Sequence, residues 1–225
     1  MKKQRIRVLI LVAIALVFAI VATPAGSATP DVNIFYDAKQ DEGCGSEIKE
    51  EWKAELRDRL DAFKTQWSLI GPPLIAATEK MTGRPFSLPA IQVRLTLCNA
   101  PSDSRGKIIL VNMRYALKSF TPNPVSLQYK AGIVYHEILH KYLNDFAPGD
   151  SALLAAHRAE SAMVKNHLHL LALMKDAYRE LKLDAELQEL IDNDNKLPSG
   201  VYKRAWGIIN ENEQTYRSFL TELKP

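Results

Sequence analysis

The chain has 225 residues, with 29 Lys and Arg against 26 Asp and Glu, a formal charge of +3 at pH 7. Four of the basic residues, Lys2, Lys3, Arg5 and Arg7, stand in the first seven positions with no acid among them, which leaves 25 basic against 26 acidic residues in the rest. A near-neutral body without clustered Lys or Arg argues against a nucleic-acid partner, and no phosphate loop, nucleophile elbow or cofactor fingerprint occurs.

Behind the basic residues, Val8 to Ala22 runs without a polar residue and is followed by "TPAGSATP". Such a run suits a signal core, about 7–15 residues, and is shorter than the ~18–20 of a bilayer span. The expectation is a secretory signal over residues 1–28, cleaved after Ala28, with Gly26 and Ala28 as the small residues at the cut; an uncleaved anchor is the alternative. The rest, 29–225, is long enough for a single domain with its own core, exported to the periplasm or secreted, with no membrane span once the signal is removed. Cys44 and Cys98 are the two cysteines. An oxidising compartment lets them pair, a crosslink worth about 4 kcal/mol on the chain-entropy model; two buried free thiols are the other possibility, since spacing does not fix geometry.

"VNIFY", from Val32, predicts a strand. Ser46 to Trp67 predicts a charged helix with Ile48, Trp52, Leu56, Leu60 and Phe63 on one face. Gly71-Pro72-Pro73 reads as a break, followed by a second helix over 74–82. "AIQVRLTLC" alternates apolar and polar residues, "NAPSDSRG" supplies turn residues, and "KIILVN" follows, a pattern that predicts an antiparallel hairpin. The remainder predicts helices over 125–146, 150–183, 185–192 and 200–223. Strands first and helices later make this α+β, mainly helical with a small antiparallel sheet.

One helix carries a chemical motif, "HEILH", with His136 and His140 four apart and Glu137 beside the first. Residues four apart share a helix face, so two imidazoles can close on one ion. Two neutral imidazoles and a third protein ligand hold Zn²⁺ with one position left for water, and an adjacent carboxylate removes the water's proton. All five histidines, His136, His140, His157, His167 and His169, follow 135 residues that contain none. The residues "HEILH" in an apolar helix resemble the zincin metallopeptidases. The metzincin branch does not fit, because Leu143 and Phe146 stand where it has a glycine and a third ligand. The gluzincin branch, similar to thermolysin, takes a glutamate from the next helix as third ligand, and Glu160 stands twenty residues after His140. Lys141 departs from the pattern, since zincins favour an uncharged residue after the second histidine.

An unbroken helix from Asp150, its cap, would put Leu153, Glu160, Met163, Val164, His167, Leu171, Met174 and Tyr178 on one stripe. Two assignments follow. Either Glu160 is the third ligand and His167 supports the site or donates to the oxyanion, or His167 is the ligand and Glu160 orients an imidazole through its N–H. His169 falls on the opposite, solvated side, and His157 at the edge of the stripe. "KIILVN" is a candidate edge for an extended peptide. Tyr135, Tyr142 and Tyr202 are candidate oxyanion donors that equally suit a core, and Tyr202, Trp206, Ile209 and Tyr216 predict a C-terminal helix packed on the metal helices. The resemblance implies a zincin-like domain acting as a zinc peptidase, with Glu137 as general base and a peptide or protein as substrate. A zinc-stabilised envelope scaffold without catalysis, or a metal-free helical module, are the alternatives.

Overall fold

The computed structural model describes residues 29–45, 47–104 and 106–225, so the expected signal lies outside the described residues. Strand β1 (Asp31–Tyr36) leads through the short helix α1 (Ala38–Asp41) to α2 (Glu50–Thr82), followed by β2 (Ala90–Thr96) and β3 (Ile108–Asn112). The rest is helical: α3 (Leu127–Phe146), α4 (Ala152–Ala156), α5 (Ala162–Glu180), α6 (Asp184–Asp194), α7 (Val201–Glu211) and α8 (Glu213–Glu222). The class is α+β and mainly helical, as expected.

The sheet corrects the sequence reading. Its order is β1-β2-β3 and both pairings are parallel, with Ile34 opposite Val93 and Arg94 opposite Leu110. Alternation suggested a hairpin because parallel sheets are usually covered on both faces and read as continuous apolar runs. Here one face is covered by helices, burying Ile34, Val93, Leu95, Ile109 and Val111, while Asn33 and Gln92 pair with each other on the exposed face. The alternation reports this half-burial, which either strand direction produces. After β2 the chain doubles back along the outer edge of β3: Asp103 exchanges both main-chain hydrogen bonds with Leu110, at 2.9 and 2.8 Å, in an antiparallel bridge. Ser102 Oγ accepts from the Asn112 amide at 3.2 Å. The β3 edge assigned to substrate is therefore occupied at Leu110 and Asn112 by the chain's own returning segment.

Helix α2 continues through Gly71-Pro72-Pro73, where a break was expected. Two prolines remove two helical donors, yet Ile70, Gly71, Leu74 and Ile75 around them are buried, and packing keeps the segment helical. Gly71 is required there because a Cβ would lie 2.3 Å from the Trp67 ring. The predicted long helix from 150 is also divided. Ser161 leaves helical geometry (φ −60°, ψ 154°) and its hydroxyl accepts from the Val164 amide, capping α5 anew. Ser151, rather than Asp150, caps α4. The C-terminal helix is split in the same way at Asn212, whose side chain accepts from the Thr215 amide at 2.7 Å. Serine and asparagine favour such caps because their side chains offer the backbone an alternative to the helical bond.

Cys44 and Cys98 form a disulfide with Cα atoms 5.7 Å apart. Beside it the buried Asp41 carboxylate accepts from the Thr96 hydroxyl at 2.6 Å and the Leu97 amide at 2.8 Å. Such a bridge is what an oxidising compartment outside the cytoplasm permits. Among the described residues no helix is long and apolar enough to cross a membrane.

Candidate metal centre

Helix α3 is capped by Ser126, whose hydroxyl accepts from the Tyr129 amide at 2.8 Å, and is buried along most of its length. One turn before the motif, Gly132 lets α6 and α5 come close: a Cβ there would stand 2.7 Å from Leu190 Cδ1 and 3.0 Å from the Tyr178 hydroxyl. This seam brings α5 beside α3, and with it His167.

His136, His140 and His167 converge, with one ring nitrogen from each lying within 4.8 Å of the others. Ring centroids are 4.9 Å apart for His136 and His140, 5.2 Å for His136 and His167, and 5.0 Å for His140 and His167. Among the described residues this is the group that could hold a metal ion. His167 Nδ1 lies 2.6 Å from the Met163 carbonyl. A carbonyl only accepts, so Nδ1 carries the proton and Nε2 presents a lone pair. That Nε2 and the Nε2 of His136 are buried and meet no hydrogen-bond partner. Buried polar atoms are nearly always satisfied, and two orphaned imidazole nitrogens facing a third imidazole fit a divalent cation with nitrogen affinity.

Electrostatics agree. Burial, then the neighbouring imidazoles, hold the His136 pKa far below its usual range. Burial lowers that of His140 to about 4, with His167 adding to the effect and the Asp103 charge opposing it. Burial also lowers His167. Neutral imidazole is the form that binds metal. Three protein ligands, rather than four, is the pattern of a centre with a position left for chemistry.

Glu137 follows His136 on α3 and is 5% exposed. Burial raises its pKa to about 7; the Ser104 hydroxyl opposes this, the Asp103 charge adds to it and the Lys141 charge lowers it. Tyr202, in the first turn of α7, places its ring 4.8 Å from that of His167 and 5.6 Å from that of His136. Burial, with Glu137 and Asp194 nearby, keeps its hydroxyl protonated. Tyr135 and Tyr142, the other hydroxyl candidates, are bound within the core, at 2.5 Å to the Thr78 hydroxyl and at 2.9 Å to the Arg84 carbonyl.

Glu160 stands apart from the three imidazoles. Its carboxylate accepts from Arg204 Nε at 3.0 Å and pairs with Nη2 of the same guanidinium. The break before Ser161 takes Glu160 out of the phase that an unbroken helix would have given it, so the seven-residue alignment with His167 is not formed. Met163, expected on the buried stripe, is 56% exposed. His169 is buried rather than solvated, its Nε2 2.9 Å from Glu222. Glu222 also accepts from the Ser151 hydroxyl at 2.6 Å and the Leu153 amide at 3.2 Å, so α8 supplied a partner that helix phase on α5 could not reveal. His157 stacks on Phe219 with ring centroids 6.0 Å apart.

Comparisons with protein-family models, with curated proteins and with solved structures return no match.

Proposed function

We propose that the chain is an exported zinc-dependent metallopeptidase with His136, His140 and His167 as the metal ligands. The observation that carries this reading is the pair of buried, partnerless Nε2 atoms of His136 and His167 on either side of a gap that His140 completes. Zn²⁺ bound there would supply Lewis-acid polarisation of a water and of the scissile carbonyl. Glu137 accepts the proton of the attacking water as the carbon–oxygen bond forms, then delivers it to the leaving amine as the carbon–nitrogen bond breaks. A carboxyl group raised to about 7 is suited to both transfers near neutral pH. Tyr202, held protonated at the edge of the centre, can donate its hydroxyl to the oxyanion. Export is supported by the leader sequence and the disulfide.

His167 replaces Glu160 as third ligand in this reading, so any zincin likeness rests on the helix of α3 and not on the gluzincin ligand set. The test is Glu137→Gln in zinc-loaded protein. Hydrolysis of a peptide mixture should fall at least about a hundredfold with metal content unchanged. Protein purified without added zinc that carries no near-stoichiometric ion, and does not bind zinc when offered it, would end the proposal. Full metal content without hydrolysis in the wild type would leave the scaffold reading.

A further inference from the structure

Asp194, the last residue of α6, is 1% exposed, and its two carboxylate oxygens serve different helices. Oδ2 accepts from the Trp206 indole N–H of α7 at 2.9 Å, and Oδ1 accepts from the Tyr129 hydroxyl of α3 at 3.3 Å. Among the described residues no cation pairs with it. A buried carboxylate held by neutral donors alone is costly, and apolar side chains would join three helices with less penalty. What the carboxylate adds is direction, because a hydrogen bond weakens as its donor turns aside and apolar packing does not depend on such an angle. Both donors stand in phase with the candidate centre. Trp206 lies four residues after Tyr202, one turn along the same face of α7, and Tyr129 lies seven before His136, two turns along the same face of α3. Tyr202 in turn rests against the rings of His136 and His167. Turning α7 about its own axis would carry Tyr202 off those rings, and the same motion would draw the indole N–H away from Asp194. The other polar tie in this part of α7, Arg204 to Glu160, has a largely exposed guanidinium and holds weakly.

We infer that Asp194 is a positioning residue that acts through Trp206 to fix the setting of Tyr202 against His136 and His167. Its catalytic consequence rests on the peptidase reading, in which the Tyr202 hydroxyl serves the oxyanion; the brace itself does not.

The experiment uses the full mature chain carrying 3-fluorotyrosine, the Tyr202 ¹⁹F resonance being assigned by its loss in Tyr202→Phe and read in chelator, without metal. Asp194→Ala should displace that resonance, as should Trp206→Phe, which removes the N–H and keeps an aromatic ring. Asp194→Asn should leave it in place, since the amide oxygen still accepts from the indole and the amide nitrogen can donate to the Tyr129 oxygen. Thermal melting identifies any variant that fails to fold, and Trp206→Phe carries the test if Asp194→Ala does not fold. In zinc-loaded protein, with a quenched fluorogenic peptide that the wild type cleaves, Asp194→Ala should lose roughly tenfold or more in kcat at little-changed KM. Asp194→Asn should stay close to wild type. Added to Tyr202→Phe, Asp194→Ala should cost no more than about twofold further, because a residue acting through Tyr202 then has nothing left to position. A carboxylate with a merely structural role would cost as much in the Tyr202→Phe background as alone, and that result would overturn the inference. So would a Tyr202 resonance unmoved in folded Asp194→Ala or Trp206→Phe. Absence of turnover in the wild type would count against the peptidase reading alone, because the tyrosine resonance still decides the brace.

Discussion

His167 and His169 lie two residues apart on α5, both buried, and differ in what their Nε2 atoms meet. That of His169 finds Glu222, itself fixed by Ser151 and the Leu153 amide, and becomes part of a closed network joining α4, α5 and α8. That of His167 meets no partner, while its Nδ1 is committed to a carbonyl. Two positions along a helix correspond to about 200° of rotation, enough to turn one ring towards α8 and the other towards α3. Burial is common to both. The unmet nitrogen, with two further imidazoles around it, is what marks one of them as a candidate ligand.

The comparison is tested most severely by alanine at each position. His167→Ala should weaken zinc binding by at least about a hundredfold, since removing a ligand must cost more than removing a group that merely orients one. His169→Ala should leave zinc affinity unchanged in calorimetric titration and lower stability by about 2 kcal/mol through a lost hydrogen bond and a small void. Equal effects of the two on zinc affinity would remove the distinction. Next in size is the effect of the metal on folding. Free zinc at a thousand times its Kd should stabilise the wild type by about 4 kcal/mol. His169→Ala should keep that increment and His167→Ala lose most of it, read from chemical denaturation with and without a chelator.

The sequence already carried the α3 half of the centre: helical spacing placed His136, His140 and Glu137 together, and the cluster of histidines pointed to α5. The other half was only partly legible, because the phase of Glu160 depended on extrapolating a helix through a serine able to cap a new one. Ser161 was the available signal, as was Asn212 for the break between α7 and α8. Strand positions were readable from alternation, but direction was not, since the pattern records which face is buried. The partners of His169 and Lys141 are distant in sequence, Glu222 and the carbonyls of Ser104 and Gly106, and nothing local to either residue specifies them. Gly71-Pro72-Pro73 shows packing around Ile70 and Leu74 prevailing over a strong local breaker.

Acid sharpens the contrast further. In the metal-free chain the folded pKa of His140 is about 4, against an unperturbed 6.5. The unfolded chain therefore takes up its proton first as pH falls, and the associated stability is complete above 6.5 and lost on descending towards 4. For this partly exposed group the loss is of the order of 2–3 kcal/mol. His169 is lowered by burial as well, but its bond to Glu222 and that carboxylate's charge both work against the shift. His140→Asn should accordingly flatten the stability profile between pH 6.5 and 4 more than His169→Asn, measured by urea unfolding in chelator. The opposite ranking would mean that the three imidazoles do not sit in the dry, mutually repelling cluster described.

Glu160 is the remaining test, and its expected effect is the smallest. Spacing twenty residues beyond His140 gave it the role of third ligand, whereas its carboxylate lies against Arg204, in a pair whose arginine is largely exposed. The guanidinium lowers the carboxyl pKa, which holds it ionised without bringing it to the histidines. Exposed ion pairs contribute little to stability and are screened by salt, so Glu160→Ala should change neither melting temperature nor zinc stoichiometry to a measurable degree. A glutamate ligand would behave differently, because its loss would leave zinc held by the α3 pair alone and affinity would collapse as in His167→Ala. The two substitutions made side by side therefore decide which element of the α4–α5 region completes the centre: the helix that begins at Ser161 or the turn that precedes it.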